Sequence, residues 1–217
     1  MSRLEAIFFD HDGTLVDTEP LWAEAKTALA ADYGKTWTEE DSLACLGRPA
    51  AVTFERMHAL GIDAPADELY ASLKEKMGVL LSEATITLLE GIPELLDEVA
   101  AAGVPAGIVT NATTAVAQRT ANLGPEGLFS TIVSDEHVTQ AKPNPEPYLL
   151  AAKNLGVDPA NCVAIEDSDS GTQSAVDAGM KVVVVPGLLS VPKNLGHARM
   201  EHSELSLAKI RALVDED

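Results

Sequence analysis

Five short apolar runs, each followed by small or polar residues, constrain the fold more than any other feature of this sequence. None of the runs alternates apolar with polar residues, as a strand with one solvent-facing side would. Stretches with helical spacing lie between them, and four of these stop at a glycine, a common residue just past a helix end. This order predicts an open parallel α/β sheet with right-handed crossovers. The predicted strands are Ala6–Phe9, Ala106–Val109, Thr131–Val133, Cys162–Ile165 and Val182–Val185.

The interval from about Thr18 to Leu89 breaks this alternation, because it has helical patterns and no strand pattern. It is far longer than an ordinary connection between two elements, which favours an inserted domain. We therefore expect an α/β fold with an open parallel-sheet, Rossmann-like core, formed by residues 1–16 and 90–217. Residues 17–89 are expected to form an all-helical cap domain above the carboxyl end of the first strand. Its predicted helices are Pro20–Tyr33, Glu39–Cys45, Ala50–Leu60 and Pro65–Ser82.

The charge balance limits the partners that this chain can attract. Acidic side chains outnumber basic ones by 34 to 15, a formal net charge of -19, which disfavours nucleic acid and anionic membranes. The two cysteines, Cys45 and Cys162, offer no disulfide framework and no metal-binding pair. We see no signal peptide and no run of about 20 apolar residues. The expectation is a cytoplasmic monomer with no membrane and no nucleic-acid partner.

Carboxylates and other polar side chains follow four of the five predicted strands. In an open α/β sheet, ligands bind beyond the carboxyl ends of the strands, so these residues are expected to converge there. Carboxylates so close together repel one another unless a cation lies among them or some of them take up protons. Because the donors are oxygens, the pattern favours Mg²⁺. The residues concerned are Asp10 and Asp12, Thr110 and Asn111, Lys142, and Glu166 and Asp167.

The same set suits phosphoryl transfer. Thr110, Asn111 and Lys142 can donate hydrogen bonds to phosphate oxygens, and transfer depends on such positioning and charge stabilisation. A carboxylate at a strand end, Asp10, can attack phosphorus and form an aspartyl-phosphate. Asp12, two residues further on, can protonate the leaving oxygen and later activate water.

Each of these residues also has an ordinary structural explanation. Asp10 and Asp12 can be simple turn residues, and Thr110 can cap the next helix. Lys142 can lie in a solvated loop, and Glu166 with Asp167 can favour the dipole of the following helix. Only their common position at one edge of the predicted sheet favours a reactive site over these alternatives.

Four segments resemble, in order, the motifs of the haloacid dehalogenase superfamily of phosphohydrolases. The first runs from Phe8 to Glu19 and contains Asp10-His11-Asp12-Gly13-Thr14. The others are Ile108-Val109-Thr110-Asn111, Ala141-Lys142-Pro143-Asn144-Pro145 and Val163-Ala164-Ile165-Glu166-Asp167-Ser168 with Gly171. The resemblance covers nearly the whole chain. It is strongest to β-phosphoglucomutases and sugar-phosphate phosphatases with a helical cap.

This resemblance implies a role for each matching residue. Asp10 would be the nucleophile and a Mg²⁺ ligand, and Asp12 the acid/base whose backbone carbonyl also binds the metal. Asp167 would bind Mg²⁺, and Glu166 would bind it or orient its waters. Thr110, Asn111 and Lys142 would hold the phosphoryl group of a small phosphorylated metabolite. Arg48, in a cap loop, is a weaker candidate for contacting the substrate.

Two departures from the family pattern bear on function. His11 occupies a position that is usually apolar, and the sequence gives it no role. Trp22 stands where β-phosphoglucomutases have a histidine, which favours a phosphatase over a phosphomutase. A phosphometabolite sensor without turnover is a third hypothesis, disfavoured because Asp10, Asp12, Lys142 and Asp167 are all present.

Overall fold

The computed structural model describes residues 4–45, 50–187 and 191–215. Its strands are β1 (Ala6–Phe9), β2 (Ala106–Val109), β3 (Phe129–Val133), β4 (Cys162–Glu166), β5 (Lys181–Val184) and β6 (Ala198–Arg199). All of them run parallel in one sheet, in the order β3-β2-β1-β4-β5-β6. Strand β1 therefore lies in the interior of the sheet, between β2 and β4.

The predicted parallel α/β sheet is confirmed, with one addition. The strands β1 and β2 have the predicted bounds. Strand β3 begins two residues earlier than predicted, β4 ends one residue later, and β5 begins and ends one residue earlier. Strand β6, at Ala198–Arg199, is not among the five predicted strands. A segment of two residues is too short to show a strand pattern in the sequence. It is a strand only because its backbone pairs with the edge of β5.

Both faces of the sheet are covered, which explains the uninterrupted apolar runs. In β1, Ile7 and Phe9 enter one apolar cluster, whereas Ala6 and Phe8 enter another on the opposite face, and all four are fully buried. A strand that is buried on both sides has no solvent-facing side, so its sequence does not alternate apolar with polar residues. Burying a phenylalanine contributes about 1.5–3 kcal/mol, so β1 anchors the residues that follow it.

The α-helices in the described residues include the four predicted in the inserted segment, each within one residue of its predicted bounds. None of them is both long and apolar enough to cross a bilayer. They are α1 (Glu19–Asp32), α2 (Glu39–Cys45), α3 (Ala50–Ala59), α4 (Ala66–Glu83), α5 (Ile92–Ala101), α6 (Thr114–Ala121), α7 (Glu146–Leu155), α8 (Asp169–Asp177) and α9 (Leu207–Asp215).

The chain divides into two compact units, Met1–Asp17 with Ile86–Asp217, and Thr18–Thr85. The first contains the sheet and helices α5 to α9; the second contains α1 to α4. We had placed the boundaries after residue 16 and before residue 90. The assignment of these units as separate domains stays a prediction.

The helical unit has its own apolar interior and its own helix signals. Thr38 and Asp41 exchange hydrogen bonds at the start of α2, with Thr38 Oγ1 accepting from the Asp41 backbone N–H. Hydrogen bonds from Thr38 lower the pKa of Asp41, and its ion pair with Arg56 lowers it further. The buried apolar side chains are Ala25, Leu29, Ala30, Trp37, Cys45, Phe54, Met57, Ile62, Ala64, Leu69, Leu73, Met77 and Leu81.

Backbone contacts within the sheet unit hold together the two points between which the helical residues are inserted. Val16 forms an antiparallel bridge with Leu88. The Leu89 N–H donates to the Leu15 carbonyl at 2.9 Å. The chain thus leaves the sheet unit and returns to it side by side.

Candidate active site

Adjacent parallel strands bring the first and fourth motifs together. Phe9 in β1 pairs with Ile165 in β4, and the backbone N–H of Asp10 donates to the Ile165 carbonyl at 3.0 Å. Asp10 and Glu166 therefore leave neighbouring strands at the same level, with Asp167 next along the chain. Parallel pairing in register makes this convergence a direct consequence of the strand order.

Three of the predicted carboxylates form one buried cluster. A carboxylate oxygen from each of Asp10, Glu166 and Asp167 lies within 4.8 Å of the other two. All three residues are buried, and Glu166 is fully so. Carboxylates in this arrangement require a cation or protons among them.

Lys142 supplies one positive charge to this cluster. Its Nζ donates to Asp10 Oδ1 at 2.5 Å, to Glu166 Oε1 at 2.6 Å and to the Val109 carbonyl at 2.7 Å. An ammonium group has three hydrogens, so these acceptors use all of them. Lys142 thus links the first, second and fourth motifs directly.

Tyr148 in α7 completes the surroundings of Glu166. Its hydroxyl donates to Glu166 Oε1 at 2.6 Å, and the Lys142 ammonium lies 5.1 Å from the centre of its ring. Ser168 Oγ donates to the other oxygen, Oε2, at 3.2 Å. Glu166 is therefore held by three donors from three parts of the chain.

Burial and mutual repulsion shift the ionisation of the cluster. Burial, with the charge of Glu166, raises the pKa of Asp10 to about 7 even though Lys142 opposes the shift. Burial, with the charges of Asp10 and Glu166, raises the pKa of Asp167 to about 9. Burial lowers the pKa of Lys142, but its contacts with Asp10 and Glu166 outweigh this, so the net shift is upward.

These observations fit a divalent cation. Three buried carboxyl groups face one ammonium, so negative charge is in excess once all three are ionised. The donors are hard oxygens, the type that Mg²⁺ and Ca²⁺ prefer. The described residues supply a buried acidic group able to bind a metal.

The other predicted residues lie at the same edge of the sheet. Thr110 follows β2 and is buried, and its Oγ1 accepts from the Ala112 N–H. Asn111 Oδ1 accepts from the Lys142 backbone N–H at 3.3 Å. The Asp12 side chain is 28% exposed. Arg48 lies outside the described residues, so its predicted substrate contact has no structural test.

His11, for which we had no role, is fully buried and lies between two polar groups. Its Nε2 lies 2.7 Å from Thr120 Oγ1 in α6, and its Nδ1 lies 3.4 Å from Asp12 Oδ2. Burial lowers the pKa of His11, but the charges of Asp12 and Asp10 outweigh it, so the net shift is upward.

Two glycines leave space for the carboxylates. Gly13 has φ +79°, and a Cβ atom there would overlap the Asp167 carboxylate. A Cβ atom on Gly171, near the start of α8, would overlap the Glu166 carboxylate. Both positions therefore require glycine for close approach, and Gly13 requires it for its backbone conformation as well.

Sequence reasoning missed Tyr148, Thr120 and the position of His11. Tyr148 lies in α7, six residues after Lys142, a spacing that gives no signal of its contact with Glu166. Thr120 is 109 residues from His11, and only the packing of α6 joins them. The one signal in the sequence for His11 was a polar residue at a usually apolar position, beside two candidate catalytic aspartates.

Known proteins resemble this chain over nearly its whole length. Residues 7–185 match the model of the haloacid dehalogenase-like hydrolase family. Protein CbbY of Rhodobacter capsulatus is 30% identical, over 97% of this chain and 98% of that protein. A phosphorylated carbohydrates phosphatase of Thermotoga maritima is 33% identical, over 95% of this chain and 94% of that enzyme.

A solved structure shares the fold over nearly the same extent. It is a mutant CbbY from Rhodobacter sphaeroides in complex with xylulose-(1,5)bisphosphate. The TM-score is 0.74 and the identity 26%, covering 95% of this chain and 99% of that chain.

Proposed function

The chain belongs to the family of haloacid dehalogenase-like hydrolases, and on that premise we propose that it is a Mg²⁺-dependent phosphatase of a small phosphorylated sugar. The observation that carries this proposal is the buried group of Asp10, Glu166 and Asp167 with Lys142 bonded into it. The relatives named for phosphorylated carbohydrates, and the CbbY structure with a sugar bisphosphate, support the substrate class.

The residues divide the reaction into two halves. Asp10 attacks phosphorus, the bond to the ester oxygen breaks, and Asp12 gives that oxygen a proton. In the second half Asp12 takes a proton from water, the water oxygen bonds to phosphorus, and the bond to Asp10 breaks. Asp12 suits both transfers because its side chain is partly exposed, unlike the carboxylates of the cluster.

Mg²⁺, when bound, would neutralise charge on the phosphoryl oxygens. Asp10, Asp167 and the backbone carbonyl of Asp12 would hold it, with Glu166 as a further ligand or a support for its waters. Lys142 would keep Asp10 and Glu166 in place and, with Thr110 and Asn111, stabilise the phosphoryl group. A contact from Lys142 to phosphate requires it to release or share one of its three present hydrogen bonds.

The proposal is tested with purified protein and a panel of phosphorylated sugars, glycolate phosphate and nucleotides. Phosphate release is measured with Mg²⁺ and with a chelator. We expect release that requires Mg²⁺ and is lost in Asp10→Asn, with an unchanged circular dichroism spectrum. Undiminished hydrolysis by Asp10→Asn would rule out the nucleophile, and no release from any substrate would favour the sensor hypothesis.

The same assay separates a phosphatase from a phosphomutase. With β-glucose 1-phosphate, a phosphatase yields free phosphate, whereas a mutase yields glucose 6-phosphate. We expect free phosphate. We further propose that the protein acts as a monomer, which sedimentation at several concentrations tests.

A further inference from the structure

His11 has an unusual environment for a side chain that the reaction does not use. It lies between Asp10 and Asp12 in the chain and has no exposed surface. A buried polar atom without a hydrogen bond destabilises the fold by about 1–3 kcal/mol. Its Nε2 is satisfied by Thr120 Oγ1 at 2.7 Å, whereas its Nδ1 has no hydrogen-bond partner at such short range among the described residues. The Asp12 carboxylate, 3.4 Å away, is a ready acceptor for this nitrogen.

The position of Asp12 indicates which nitrogen carries a hydrogen. If Nδ1 carried only a lone pair, it would face a carboxylate oxygen, and two acceptors at this distance repel each other. If Nδ1 carries the hydrogen, it points a donor at Asp12. The Thr120 hydroxyl can then donate to Nε2 in the neutral ring or accept from it in the charged ring. When Asp12 is ionised, Nδ1 therefore donates to it in either protonation state of the ring.

We propose that His11 is a positioning residue that holds the Asp12 carboxylate in place for proton transfer, with Thr120 holding the imidazole. This inference rests on the proposed phosphatase function. A ring bonded at Nε2 to a buried hydroxyl of α6 presents Nδ1 in one direction only. One Asp12 oxygen, Oδ2, is then held toward His11, and the other, Oδ1, carries the proton that passes to the leaving group.

The chemistry of the leaving group separates this role from a purely structural one. An alkyl phosphate, such as a sugar phosphate, releases an alkoxide that needs a proton from Asp12. An aryl phosphate such as p-nitrophenyl phosphate releases a stable phenolate that does not. The value of kcat/KM reports the steps up to departure of that group. Loss of His11 should therefore lower kcat/KM for the alkyl substrate far more than for the aryl substrate.

Matched substitutions assign the effect to one nitrogen. His11→Asn keeps an N–H near the position of Nδ1, whereas His11→Gln keeps one near Nε2 and loses the donor to Asp12. His11→Leu removes both donors, and Thr120→Val removes the hydroxyl with little change of shape. For the alkyl substrate we expect roughly a tenfold to hundredfold loss in His11→Leu and His11→Gln, part of the 10²–10⁴ that acid–base catalysis supplies. His11→Asn should restore most of the activity, and Thr120→Val should show a smaller loss in the same direction.

Asp12→Asn is the reference, since it should show the largest alkyl-selective loss. Equal losses on both substrates, or full alkyl activity in His11→Leu, would overturn the role of His11. If the His11 variants fail to fold by circular dichroism, Thr120→Val decides the question: an alkyl-selective loss supports the role and unchanged activity overturns it. Failure of the unaltered protein to hydrolyse either substrate, or an Asp12→Asn variant without leaving-group selectivity, would instead refute the proposed function.

Discussion

The ammonium of Lys142 lies 2.6 Å from Glu166 Oε1, inside a region where neither side chain has appreciable contact with water. Lys142 is bonded equally closely to Asp10, so one cation offsets the repulsion between two buried carboxylates. Removing one member of a buried ionic group leaves the remaining charges unpaired. The resulting loss of stability is much larger than the net stabilisation that the intact ion pair provides.

Lys142→Met should therefore lower the free energy of unfolding by about 3–5 kcal/mol in the absence of metal, measured by urea denaturation. It should also abolish hydrolysis. Lys76→Met is the matched control, because its ion pair with Asp32 at 2.6 Å is partly exposed. That substitution should lower the free energy of unfolding by about 1 kcal/mol or less. Equal effects of the two substitutions would contradict the role given to the buried cation.

Tyr148→Phe should weaken metal binding without changing the fold. The variant keeps the ring beside Lys142 and loses only the hydrogen bond to Glu166 Oε1. Groups that orient a metal ligand typically contribute about 10- to 100-fold to affinity, so we expect roughly a tenfold rise in the Mg²⁺ concentration for half-maximal rate. Tyr70→Phe, at a 42% exposed tyrosine, is the control and should leave this concentration unchanged. An unaltered Mg²⁺ dependence in Tyr148→Phe would show that Glu166 needs no such support.

Stabilisation by Mg²⁺ should increase with pH. In the metal-free protein the pKa of Asp10 is raised to about 7 and that of Asp167 to about 9, so the folded state keeps protons that the unfolded chain releases near pH 4. The contribution of these two groups to the stability of the metal-free protein therefore falls as the pH rises from about 4 towards 9. Mg²⁺ binds the ionised carboxylates and removes this penalty.

The measurement is the difference in Tm with Mg²⁺ and with a chelator at about pH 5.5, 7 and 8.5. Taking the difference removes the contribution of carboxylates outside the site. Asp167→Asn, which lacks the group with the higher pKa, should flatten the dependence. The same Mg²⁺ shift at every pH would exclude the carboxylate cluster as the binding site.

Gly171→Ala should impair the site through one methyl group. The added Cβ would overlap the Glu166 carboxylate, so that side chain must leave its bonds with Lys142 and Tyr148. We expect a large loss of Mg²⁺-dependent hydrolysis in the activity assay. Gly78→Ala is the control, because nothing lies within 4 Å of its Cβ position in helix α4. That change should leave activity intact and stabilise by up to about 1 kcal/mol.

The sheet and the site differ in how far the sequence predicts them. Strand β1 was predicted to the residue, because burial on both faces leaves an unbroken apolar run that local reading detects. The convergence of Asp10 with Glu166 could also be predicted from the sequence, because parallel strands present their carboxyl ends at one edge of the sheet.

Contacts that depend on the packing of helices did not follow from the sequence. The bond from Tyr148 to Glu166 and the one from Thr120 to His11 depend on how α7 and α6 rotate against the sheet. No periodicity encodes that rotation. Strand β6 was not predicted for a related reason: its two residues form a strand only through their pairing with β5. The division of roles among Asp12, Thr110, Asn111 and Arg48 stays a prediction.

The bridge between Val16 and Leu88 has a consequence for how such a chain can change over time. This bridge holds the two ends of the inserted segment together within the sheet unit. The segment between them can therefore be lengthened, shortened or exchanged while Asp10 keeps its neighbours. A chain in which a few glycines and serines replace residues 18–85 should still assemble the carboxylate cluster. The catalytic residues and the segment that selects the substrate could then evolve independently of each other.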